Sequence, residues 1–122
     1  MHNLDTNSAE FWQVLDTLAA KFEIVIDRPK GSAHPNYPDL IYPLDYGYLK
    51  GTTSMDGGGI DVWMGSEPNR EINAIVCTVD LVKNDSEIKL LIGCTEDEQM
   101  TVYKACNNSE FMKGILIRRN HG

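Results

Sequence analysis

Apolar residues follow two rhythms along this chain, and the switches between them outline its architecture. Phe11, Trp12, Leu15, Leu18, Ala19 and Phe22 recur at three- and four-residue spacing, which places them on one face of a helix. Asn7 followed by Glu10 has the form of a capping box, so the spacing predicts an amphipathic helix over about 8–21. The β-branched run FEIVID then predicts a strand that ends before Pro29. From Pro29 to Thr53, four prolines and four tyrosines predict loop with short extended pieces, either a wall around a site or a small core of its own. The turn Asp56-Gly57-Gly58-Gly59 feeds a strand through Met64. Strands are expected over 72–82 and 87–94, joined by the turn residues Lys83-Asn84-Asp85-Ser86. A helix over 96–106, opened by Glu96, Asp97 and Glu98 and broken at Asn107-Asn108, precedes a last strand over 114–118. The pattern describes an α+β chain, mainly β, with a small antiparallel barrel flanked by an N-terminal and a C-terminal helix.

At 122 residues, 42% hydrophobic and 24% charged, the chain fits one globular domain over 1–122. No repeat or linker divides it. Eighteen acids against eleven Lys and Arg give a net charge of −7. Such a surface repels a phosphate backbone, which argues against nucleic acid as a partner, although it also serves solubility alone. Cys77, Cys94 and Cys106 are odd in number and lack metal-type spacing, which argues against a disulfide framework and a structural zinc site, and two of them, in or at the end of apolar runs, read as small core residues. No signal-type start and no run of 18 apolar residues is present, so a cytoplasmic protein without membrane contact is expected.

The acids themselves stand where strands begin or end. Asp27 closes the first strand, Asp56 and Asp61 bracket the glycine turn, and Asp85 and Glu87 flank the next turn. Asp favours turns in any case. If the strand ends converge, however, the carboxylates would suit a hard cation such as Mg²⁺, which takes oxygen ligands from a few carboxylates and from substrate phosphates.

Several segments in order, VIDRPKGS (25–32), YPLDYGYL (42–49), MDGGGIDVWMG (55–65) and KNDSEIKLLIG (83–93), resemble the family I soluble inorganic pyrophosphatases. That family's OB-like barrel agrees with the strand pattern. The resemblance implies Mg²⁺, or Mn²⁺, as cofactor and diphosphate as substrate, with further copies of the chain as partners. It places Asp56, Asp61, Glu87 and Asp85 at metal positions, Tyr42, Tyr46 and Lys89 at substrate phosphate, with Arg28 or Lys30 from the adjacent loop as a source of positive charge, and Asp61 or Asp27 as proton acceptor. Departures are equally specific. Gly58 stands where the family has the middle aspartate of its glycine turn, and the stretch between Asp27 and Tyr42 is too short for the family's hairpin with its phosphate-binding arginine.

Hydrolysis of diphosphate by metal-activated water is therefore the expected activity. Two alternatives stay open. One is a degenerate pyrophosphatase-like barrel that binds a metal-phosphate ligand or a protein without turnover, and the other is hydrolysis of a different phosphoanhydride. His34 reads as an exposed loop residue, Trp63 as core or subunit contact, and Arg118-Arg119 as too short for a nucleic-acid patch.

Overall fold

A computed structural model describes residues 8–54 and 57–120. The element order is α1 (Ala9–Ala20), β1 (Glu23–Arg28), β2 (Asp45–Lys50), β3 (Ile60–Met64), β4 (Ile72–Asp80), β5 (Asp85–Ile92), α2 (Glu96–Ala105) and β6 (Met112–Arg118). The strands form one six-stranded sheet in the order β1-β2-β3-β5-β4-β6. Neighbours are antiparallel except β3 and β5, which run parallel through Val62↔Leu90, Trp63↔Leu91 and Met64↔Ile92.

The α+β, mainly β, expectation holds, whereas the barrel does not appear: among the described residues the edge strands β1 and β6 do not pair. The physical reason is visible in the core, because both sheet faces carry a helix and neither is an interior. On one face Trp12 of α1, 1% exposed, packs with Leu49, Val62, Ile75 and Leu90. On the other, Val102 and Cys106, within and at the end of α2, pack with Trp63, Ala74, Val76 and Leu91. Cys94 and Cys106 are buried and Cys77 is half-buried, all three as free thiols. Burial pushes the Cys94 thiol up to about 12.

Helix ends show how local chemistry sets the boundaries. The capping box expected at Asn7 lies outside the described residues, and Ser8, the N-cap of α1, makes no side-chain cap bond. At α2 the box is complete: the Glu98 amide donates to Thr95 Oγ1 at 3.2 Å, and Glu98 Oε1 accepts the Thr95 amide at 2.8 Å. Both Glu98 oxygens also accept the Ser66 amide at 3.1 Å, which ties the helix start to the segment after β3. Arg119 fastens the other face, with Nη2 2.8 Å from Asp16 of α1, Nη1 3.7 Å from Glu71 and its guanidinium 5.7 Å from the Trp12 ring centroid.

Two edge details matter later. Gly47 of β2 faces β1 so closely that a Cβ there would be driven into the Val25 carbonyl, beside a register shift between Ile26 and Arg28. At the β6 edge, the Asn107 side-chain amide donates to the Gly114 carbonyl at 3.0 Å and accepts the Gly114 N–H at 3.1 Å. Among the described residues no helix is long and apolar enough to cross a membrane.

Backbone donors hold the Glu98 carboxyl below its ordinary value although partial burial acts the other way. A depressed carboxyl stabilises the fold above the unfolded-state value and loses that contribution as pH falls through the folded one. Thr95→Ala should cost about 1 kcal/mol in urea denaturation near neutral pH. Glu98→Ala should destabilise as well, by an amount that shrinks on acidification below the carboxylate range. Gly47→Ala should cost about 1–3 kcal/mol.

Candidate functional site

On the α2 side of the sheet, alternation along β5 places Glu87, Lys89 and Leu91 on one face, and along β3 it places Asp61 beside Trp63. The parallel seam brings these two rows together. Lys89 Nζ lies 2.9 Å from Asp61 Oδ2, 3.4 Å from Glu87 Oε2 and 2.9 Å from the Tyr46 phenol oxygen, to which it donates. Tyr46 comes from β2, in register with Trp63. Side-chain exposures of 12% for Lys89, 19% for Asp61 and 6% for Glu87 leave the cluster mostly dry but reachable.

The electrostatics follow from that burial. Desolvation disfavours the Lys89 ammonium, yet the Tyr46 oxygen and the Asp61 carboxylate more than offset it and hold the group above its ordinary value, so it is charged at neutral pH. Burial raises the Tyr46 phenol far above its usual range, with Asp61 adding to the effect and Lys89 opposing it. Tyr46 is thus a neutral hydrogen-bonding group.

An aromatic wall flanks the cluster. The ring centroids of Tyr46 and Trp63 are 4.6 Å apart, those of Tyr42 and Tyr46 5.2 Å, and those of His34 and Tyr42 6.2 Å in stacked orientation. Tyr42 is brought there by a narrow hairpin over 31–42, in which Gly31 N donates to Tyr42 O at 2.8 Å, Tyr42 N to Ser32 O at 2.9 Å and His34 N to Leu40 O at 2.8 Å. The short segment therefore does form a hairpin, though without an arginine in it. His34 is half-buried rather than exposed, and burial together with Arg28 lowers its pKa. Trp63 is core, 6% exposed, and its indole N–H has no hydrogen-bond partner among the described residues.

Four of the expected site residues, Tyr46, Asp61, Glu87 and Lys89, therefore meet, with Tyr42 in the wall. Asp85 starts β5 opposite Asp80, on the same face as Glu87 but outside the contacts of Lys89. Asp27 is exposed at the β1 irregularity, two strands from Asp61. Lys30 is exposed, and its backbone N–H donates to Asp45 Oδ1 at 2.8 Å. Asp56 lies outside the described residues. Of the two loop cations expected to supply positive charge, Arg28 is the one beside the wall, 2.7 Å from the Tyr42 phenol. Its signal in the sequence was its place next to Asp27 at a strand end.

Among the described residues no three His, Cys, Asp or Glu side chains group closely enough to hold a metal. The donor chemistry nevertheless suits a hard divalent cation, since two carboxylates face one positive charge in a mostly dry position and Mg²⁺ is commonly held by one or two carboxylates plus substrate phosphates. No family model matches the chain, and no curated protein matches it.

If Lys89 neutralises the two acids, Lys89→Met should lose about 3 kcal/mol of stability at neutral pH, because two mostly buried carboxylates are left without their cation. Denaturant titration measures it. Added Mg²⁺ should raise the variant's midpoint more than that of the unaltered chain.

Proposed function

We propose that the protein is a phosphoanhydride hydrolase acting on inorganic diphosphate, with a divalent cation, Mg²⁺ or Mn²⁺, held by Asp61 and Glu87. The observation that supports this reading is the meeting of two carboxylates, one ammonium and one phenol within hydrogen-bonding distance of a common point, Lys89 Nζ. When bound, the cation would neutralise substrate oxygens and acidify a water. With Glu87 engaged by the cation, the Lys89 proton that Glu87 accepts at 3.4 Å would turn to a phosphoryl oxygen, and Tyr46, kept neutral by burial, donates a hydrogen bond beside it. Asp61 accepts the proton of the attacking water. Water adds to one phosphorus, the bridging P–O bond breaks, and two phosphates leave. Exclusion of bulk water by Tyr42, Tyr46 and Trp63 strengthens each of these charge interactions. Self-association belongs to the same proposal.

A second reading, binding without turnover, draws on one specific feature: the exposed turn residue Gly58 brings no side chain to the site. Phosphate release from diphosphate with Mg²⁺ or Mn²⁺ decides between them. Asp61→Ala should reduce release by about 10²-fold or more. Equal turnover by both proteins would sink the hydrolase reading, while cation-dependent diphosphate binding with no release would favour the second.

A further inference from the structure

One more cation stands on the sheet face that carries the cluster. Arg28 of β1 pairs in register with Tyr46, and Tyr46 with Trp63, so Arg28 shares the α2 side with Lys89. Three Lys or Arg residues among those described are half-buried: Arg28, Lys89 and Arg119. Carboxylates hold two of them, Asp61 and Glu87 for Lys89, and Asp16 and Glu71 for Arg119. Arg28 makes no ion pair among the described residues. Its Nη1 donates to the Tyr42 phenol at 2.7 Å, and its guanidinium lies 5.6 Å from the centroid of that ring. Asp27 beside it is exposed, and Asp45 lies on the opposite face of β2, where it accepts the Lys30 amide. In a chain of net charge −7, a half-buried guanidinium held only by a phenol keeps most of its five donors for an anion from outside.

Position decides which anion. The Tyr42 and Tyr46 rings, 5.2 Å apart, separate Arg28 from Lys89, whose Nζ is 5.3 Å from the Tyr46 centroid. Three strand spacings, roughly 14 Å, separate the backbones of β1 and β5. An anion that bridges the two cations crosses the tyrosine pair, which suits a linear polyanion longer than a single phosphoryl group.

We propose that Arg28 is the distal anion contact of this site and sets its length, so that its preferred ligand is inorganic tripolyphosphate rather than diphosphate. The inference rests on the reading of the Lys89 cluster as a phosphate site. Isothermal titration of the full chain with each polyanion, in the presence of Mg²⁺, tests it. The expected result is tighter binding of tripolyphosphate, with Arg28→Gln losing about ten-fold more affinity for tripolyphosphate than for diphosphate. Arg28→Lys, which keeps the charge but not the fork, should fall between, and together with the ranking in the unaltered chain it decides the matter if the glutamine variant does not fold. Equal affinities in the unaltered chain, or an equal loss of both in Arg28→Gln, would overturn the role of Arg28 and leave the diphosphate reading standing. No binding of either polyanion would overturn both.

Discussion

The parallel seam between β3 and β5 carries the molecule. Each flank is a three-stranded antiparallel unit, β1-β2-β3 on one side and β5-β4-β6 on the other, and each flank forms by pairing strands within itself. At the seam, strands far apart in sequence must meet without a hairpin to align them. Val62 and Leu90 bury one side of it under α1, Trp63 and Leu91 bury the other, and the Lys89 to Asp61 contact closes the row beside them. That contact joins the two flanks through charge where the apolar rows end. The chemistry of the site and the joining of the two units thus depend on the same few residues.

This placement also explains how an acidic protein can present a site for an anion. Asp61 and Glu87 would repel a phosphate if left alone. Lys89 sits between them and offsets part of that field. The net charge of −7 is a property of the whole surface, whereas the local field at the cluster is set by two carboxylates, one ammonium and, farther out, one guanidinium.

Periodicity made much of the fold legible. The helical spacing from Phe11 to Phe22 and the β-branched runs at 72–82 and 87–94 correspond to α1, β4 and β5, displaced by a residue or a few at their ends. β2 was hidden because prolines before it and tyrosines within it resemble loop composition, and only pairing with β1 and β3 makes Asp45–Lys50 a strand. The parallel seam was invisible for a deeper reason: local alternation reports which face a residue occupies and says nothing about which strand lies next to it. Asp61 and Glu87 were legible as acids at strand ends, and Tyr46 and Lys89 only through the resemblance of their segments to the pyrophosphatase motifs. Arg28 and Lys30 were equal candidates in the sequence, because which of them turns toward the tyrosine wall is a property of the folded chain.

The amide of Asn107, seated on both backbone groups of Gly114, occupies the place that a guest strand would need first on the β6 edge. Many sheets guard such an edge with proline or charge; here one neutral carboxamide, delivered from the end of a helix, imitates a strand one residue long. Lengthening the sheet from this side must begin by displacing it, so edge-to-edge pairing of copies through β6 is disfavoured.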